Sequence, residues 1–167
     1  LSGAGKSTLA IRLEKRLIEK GYPVHLLDGD LIRKGLSSDL GYSSEDRSEN
    51  IRRIGEVAKL FVDASINTIV AFISPFKKDR ERIRKSVNSG QFIEVFLDCP
   101  LEICESRDTK GLYKKARNRE IKEFTGISSP YEIPLSPEII LHTDQDTVEQ
   151  SVQKVLTYLE EKNSLLK

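Results

Sequence analysis

Residues 1–8 read Leu1-Ser2-Gly3-Ala4-Gly5-Lys6-Ser7-Thr8 (LSGAGKST). Gly5, Lys6 and Ser7 occupy the last three positions of the pattern G-x-x-x-x-G-K-[ST]. Glycines let successive backbone N–H groups turn inward around an anion. Lys6 is a mobile point charge suited to β- and γ-phosphates, and the Ser7 hydroxyl suits Mg²⁺. A helix starting near Lys6 aims its positive end at the same anion. The plain alternative is a glycine-rich helix cap, but the downstream segments favour the phosphate loop. The pattern's first glycine falls one position before Leu1. The expectation is therefore a chain that begins inside the loop, with the strand that should feed it lying upstream.

The remainder of the chain supports an α/β reading. Ala10, Leu13, Leu17 and Ile18 recur at helical spacing over Ser7–Lys20, and Gly21 ends that helix. Pro23–Leu27 is a short apolar run before DGD. Ser48–Asp63 predicts a helix with Ile51, Ile54, Val57, Ala58 and Phe61 on one face. Thr68–Ile73 (TIVAFI) and Phe92–Leu97 (FIEVFL) predict buried strands, separated by a polar, basic helix over Lys77–Asn88. A short helix over Leu101–Arg107, a strand at Ile139–Leu141 and an amphipathic helix over Thr147–Glu160 close the chain. Near-continuous apolar strands alternating with helices predict a parallel sheet covered on both faces. In a P-loop kinase the strand before the loop is central, so the predicted architecture is a three-layer P-loop nucleoside-triphosphate hydrolase fold lacking its first, central strand.

Composition sets outer bounds. The 167 residues make one domain, with 32% charged residues and a net charge of +1. That balance gives no argument for a nucleic-acid or membrane partner. No run of eighteen apolar residues spans a bilayer and no leader is visible, so the expected location is cytoplasmic. Cys99 and Cys104 are too few for a metal site, with His25 and His142 distant, and read as two reduced thiols.

Four further segments carry chemistry. In LDGDLIRKGL (27–36), Asp28 and Asp30 follow a strand end, where parallel sheets bind ligands. Asp28 suits Mg²⁺ through water and Asp30 suits an attacking hydroxyl's proton; a solvated helix-capping turn reads equally well. In DRSENIRRI (46–54), Arg47, Arg52 and Arg53 offer planar grips on phosphate or sulfate, or ordinary surface ion pairs. In ISPFKKDRERIRK (73–85), Ser74 ends a strand at the same sheet edge, and the following helix reads mostly as a solvated face. RDTKGLYKKARNREIKEFTG (107–126) is basic with few apolar anchors and suits a lid closing on anions, or an exposed loop. Tyr42 and Phe124 can sandwich a purine, although composition alone favours core packing.

Taken together, LSGAGKST, DGDLIRKGLSSDLGYSSEDRSENIRRIGEVAKLF, FISPF, RDTKGLYKKAR and EIKEFTGISSPYEIP resemble the adenylylsulfate kinase (APS kinase) family, over Leu1 to about Thr143. The resemblance implies ATP-dependent phosphorylation of the 3′-hydroxyl of adenylyl sulfate, giving 3′-phosphoadenylyl sulfate for sulfate activation. It implies Gly3, Ala4, Gly5, Lys6, Ser7, Thr8 and Arg107 on ATP, with Mg²⁺ on Ser7 and Asp28. Asp30, Leu31, Ile32, Arg33 and Tyr42 fall on the adenylyl sulfate side. So do Arg47, Ser48, Glu49, Asn50, Ile73, Ser74, Lys110, Glu123 and Phe124. Lys6, Asp30 and Ser74 carry the catalytic positions, Ser74 being the family's phosphoserine position, for which a pocket contact is the preferred physical role. A homodimer is implied, alone or fused to sulfate adenylyltransferase, with residues 1–167 as a single kinase domain.

The chain departs from the family pattern at Tyr42 for phenylalanine, at Asn118-Arg119 for Ala-Gly in the lid, and at Ser65-Ile66-Asn67. The sequence leaves two rival readings: another small-molecule P-loop kinase, and a nucleotide-binding regulatory domain without catalysis.

Overall fold

The computed structural model describes residues 1–166. Helix α1 (Lys6–Glu19) leads to strand β1 (Val24–Asp28) and the single turn α2 (Gly29–Ile32). Helix α3 (Ser44–Asp63), β2 (Asn67–Ala71) and α4 (Lys77–Ser86) follow. Then come β3 (Val95–Asp98), α5 (Leu101–Arg107), α6 (Leu112–Arg117), β4 (Ile139–His142) and α7 (Val148–Glu161).

All pairing is parallel, as the apolar runs predict. β1 pairs with β2 in the register Leu26–Ile69, and β3 with β4 in the register Leu97–Leu141. The two pairs share no ladder among the described residues. On β1, the Leu26 amide donates to a side chain, Glu14 Oε1, at 2.8 Å. One core still joins the pairs. Leu9, Leu13 and Leu17 of α1 pack with Ile139 and Leu141 of β4 and with Val152, Val155 and Leu156 of α7. Val24, Ile69, Val95 and Leu97, one or two from each remaining strand, lie against that cluster. Thr147 closes a capping box with Gln150 and fixes where α7 begins.

Several elements depart from the sequence reading. Ile18 lies on the solvent side of α1, 58% exposed. α3 starts a turn early because the Ser43 hydroxyl accepts from the Asp46 amide. β2 stops at Ala71, leaving Phe72 and Ile73 beyond the ladder, and Val70 within it is 41% exposed. β3 begins only at Val95. α4 is no mere solvated face, since Asp79 and Arg80 are buried. The basic 108–122 stretch holds α6, whose Tyr113 and Ala116 are buried with Cys104 and Phe124 in a second cluster. That stretch is therefore anchored in the core and is not a loose loop.

Candidate active site

The loop before α1 and the C-terminal ends of β1 and β2 open onto one cleft of about 660 Å³. Its floor is the phosphate loop. Gly5 takes φ +89° as the N-cap of α1, and Gly3 takes φ +73°. A Cβ on Gly3 would sit 2.6 Å from the Cys104 carbonyl oxygen, so the close approach of α5 admits only glycine there. Lys6 folds back across the loop, its Nζ 2.5 Å from the Leu1 carbonyl. Burial lowers its pKa to about 8. Ser7 Oγ donates to Asp28 Oδ2 at 2.7 Å. The other oxygen, Asp28 Oδ1, accepts from the Asp30 amide at 2.9 Å and caps α2. Asp28 is thus the helix cap that one reading of its sequence describes, and its second oxygen holds Ser7.

Gly3, Gly5, Lys6, Ser7 and Thr8 all line the cleft, whereas Ala4 is packed beneath it. Arg107 enters from α5, with its guanidinium bonded to the Gly3 and Thr143 carbonyls. Thr143 Oγ1 in turn donates to the Ala4 carbonyl at 3.0 Å. Asp28, Asp30, Arg33, Tyr42, Arg47 and Asn50 form a second wall. Ile73, Ser74, Lys110 and Phe124 complete it.

The arginines of the DRSENIRRI block separate physically. Arg52 pairs with Glu49, and Arg53 with Glu49 and Asp39, as surface pairs do. Arg47 is buried, donates to the Tyr42 and Glu123 carbonyls, and has no carboxylate partner among the described residues. Burial, then Arg33, pulls its pKa down. Arg33 donates to the Leu40 and Gly41 carbonyls and lies 4.4 Å from the Tyr42 ring centroid. Two uncompensated guanidiniums beside an aromatic ring make a receptor for an anion attached to a flat base. Phe124 is buried, edge-on to Tyr113 with centroids 4.9 Å apart, yet it reaches the cleft. Lys110, from the segment before α6, forms an ion pair with Asp30 across the opening.

Leu31, Ile32, Ser48, Glu49 and Glu123 do not line the cleft. Leu31 is exposed, Ile32 packs against Leu27 and Ile54, and Ser48 donates to Asp79 at 2.7 Å. Glu123 contributes its carbonyl, held by Arg47 at 2.6 Å. The sequence reading missed a wall formed by Thr143, Asp146, Thr147 and Val148. The available signal was the position of Thr143, directly beyond the C-terminal end of a parallel strand.

A family profile for adenylylsulphate kinase matches residues 1–142. The chain belongs to the adenylylsulphate kinase family. A probable adenylyl-sulfate kinase of Halalkalibacterium halodurans is 60% identical over 98% of this chain and 81% of its own length. The adenylyl-sulfate kinase of Clostridium kluyveri is 60% identical over 95% of the chain and 79% of its own. The APS kinase CysC of Mycobacterium tuberculosis, solved in complex with AMPPNP and APS, superposes with a TM-score of 0.91 at 45% identity. That match covers 96% of this chain and 93% of the other. The α/β fold with parallel strands is accordingly that of the P-loop APS kinases, and both rival readings give way to this family.

Proposed function

We propose specific residue roles by which the cleft carries out its family's reaction. The chain phosphorylates adenylyl sulfate with ATP, giving 3′-phosphoadenylyl sulfate and ADP. The loop amides, Lys6 and the positive end of α1 hold the triphosphate. Arg107 and the Thr143–Val148 wall receive the rest of ATP. Arg33, Arg47 and Asn50 orient the phosphosulfate, with the adenine of adenylyl sulfate between Tyr42 and Phe124. Asn50 Oδ1 is buried without a hydrogen-bond partner among the described residues, which suits a group waiting for a ligand.

The observation that carries this reading is the pair of guanidiniums without a carboxylate partner among the described residues, Arg33 and Arg47, lining a single cleft with Lys6 and Asp30. Phosphoryl transfer is chiefly positioning and charge stabilisation. O3′ attacks the γ-phosphorus in line as the bond to the β-bridging oxygen breaks. The O3′ proton passes to the Asp30 carboxylate, and the charge left on ADP rests on Lys6 and the loop amides. For this, Lys110 must leave Asp30 for the incoming anion, which delays the base until substrate is present. Ser74 lines the wall as a contact, and direct transfer needs no covalent serine.

Ser7 Oγ and Asp28 Oδ2 are two hard oxygen donors within 2.7 Å, a fit for Mg²⁺ held by one hydroxyl directly and one carboxylate through water. When bound there, the ion neutralises charge on the β- and γ-oxygens. The same reading places the enzyme in the cytoplasm as a homodimer, alone or joined to a sulfate adenylyltransferase. Among the described residues no helix is long and apolar enough to cross a membrane.

An ADP-release assay with adenylyl sulfate, AMP, shikimate and gluconate as acceptors tests the assignment. Adenylyl sulfate is expected to win clearly; preference for AMP overturns it.

A further inference from the structure

Ser74 lies on the cleft wall at φ +44°, a left-handed conformation that side chains with a Cβ rarely adopt. Such a residue persists only where its surroundings hold it. Here the restraint comes from behind the cleft. Arg80 of α4 is buried and does not line the cleft. Its Nη1 donates to the Ser74 carbonyl at 2.7 Å, and its Nη2 to the Glu132 carbonyl at 2.7 Å. Its Nε lies 2.7 Å from Glu94 Oε1. Glu132 grips the same turn from the other side. Its amide donates to the Pro75 carbonyl at 2.9 Å, and its Oε2 accepts from the Lys77 amide at 2.6 Å. Glu94 is fixed in turn by Arg84, which is also paired with Glu138.

We propose that Arg80 is a positioning residue for the acceptor nucleotide: through the Ser74 carbonyl it holds the left-handed turn that presents Ser74 to adenylyl sulfate. This rests on the proposed assignment of the Ser74 wall to that substrate. The planar fork matters more than the charge. Two carbonyl acceptors are met by the two terminal nitrogens of one rigid group whose Nε makes an ion pair with Glu94, an arrangement that a lysine ammonium on a flexible stem cannot reproduce. Loss of the fork frees the turn to relax toward ordinary φ values, displacing the Ser74 contact while leaving the phosphate loop untouched.

The test is steady-state kinetics of the full chain, with KM measured separately for each substrate. Wild-type turnover of adenylyl sulfate is established first; its absence overturns the functional reading and this inference with it. With that turnover present, Arg80→Lys is expected to raise KM for adenylyl sulfate about tenfold and leave KM for ATP within about twofold, the scale of a small misplacement. Glycine adopts φ +44° without restraint. In a Ser74→Gly background the Arg80→Lys penalty should therefore shrink to about twofold, a coupling that a double-mutant cycle reads directly. Glu94→Gln, which keeps volume and removes the negative charge beside Arg80 Nε, should act in the same direction more weakly, and serves alone if Arg80→Lys fails to fold. Equal rises in both KM values, or the same penalty in both backgrounds, would make Arg80 a purely structural residue and overturn the inference.

Discussion

The Ser7 hydroxyl donates to Asp28 Oδ2 across 2.7 Å, tying the first turn of α1 to the last residue of β1. The bond brings two sequence motifs, twenty-one positions apart, onto one point beside the phosphate loop. If that point holds Mg²⁺ through Asp28 and water, Asp28→Asn should raise the Mg²⁺ concentration for half-maximal activity by about 10–100-fold. Ser7→Ala should also lower turnover at saturating Mg²⁺. A metal titration of initial rates checks both; an unchanged midpoint in Asp28→Asn removes Asp28 from the metal.

Lys6 predicts an exchange of stability for activity. Its folded pKa of about 8 lies below its ordinary value of 10.5, so the unfolded chain binds the extra proton between those limits. Stability from this group therefore rises with pH across that window, and below it the buried charge is a full cost. Lys6→Met should abolish turnover and raise Tm at pH 7. The Tm advantage should fade as pH climbs from about 8 toward 10. Thermal melts of both proteins over pH 7–10 check it; a constant offset refutes the buried-charge origin.

The contiguous chemistry was legible in the sequence and the assembled chemistry was not. Gly5, Lys6 and Ser7 announce an anion loop because a loop followed by a helix is a local device. Asp28 and Asp30 were visible because a strand end fixes where they point. By contrast, Arg47 and Arg52 look alike in sequence, and only the packing of α3 decides that one is buried against Tyr42 while the other pairs with Glu49. Tyr113 was hidden by its basic neighbours, although Tyr113 and Ala116 share one face of a helical turn and both are buried. Arg119 and Ser65 hold φ +62° without being glycine. The backbone at Arg119 therefore holds a shape that favours glycine.

Phe124 lines the cleft on the side proposed for adenylyl sulfate. Its ring is packed against Tyr113 and bounds the wall shared with Tyr42 and Arg47. Phe124→Leu keeps an apolar side chain but loses the flat face. It should raise KM for adenylyl sulfate by up to about tenfold, the worth of one good aromatic contact. KM for ATP should stay near its wild-type value. Weakening of ATP alone would exchange the two sites.

Lys110 and Asp30 are both more than half exposed, so their ion pair contributes little to folding. Lys110→Met should move Tm by no more than about 4 °C, the shift expected from at most 1 kcal/mol in a domain of this size. It should nevertheless raise KM for adenylyl sulfate and flatten the dependence of that KM on ionic strength, because a cation proposed to meet the substrate is lost. Salt series from 20 to 300 mM are roughly matched to the range over which screening changes most. An unaltered salt slope would leave Lys110 outside the substrate path.

Gly55 supplies a test of the scaffold beneath the second wall. A Cβ built there falls 2.1 Å from Ile83 Cδ1 and 3.0 Å from Ile83 Cγ1, at the crossing of α3 and α4. α3 carries Arg47 and Asn50, and α4 carries Arg80, so this crossing sets the spacing between the acceptor wall and the turn behind it. Gly55→Ala adds helix propensity worth about 1 kcal/mol but overpacks the crossing at a cost of about 1–3 kcal/mol. A net loss of Tm is expected, together with a higher KM for adenylyl sulfate. Ile83→Val removes the Cδ1 atom that clashes most. In the double variant the helix gain remains while the worst contact disappears, so Tm should rise above that of Gly55→Ala alone and KM should move back toward wild type. Additive losses in the double variant would mean that α3 and α4 are not held apart by this contact.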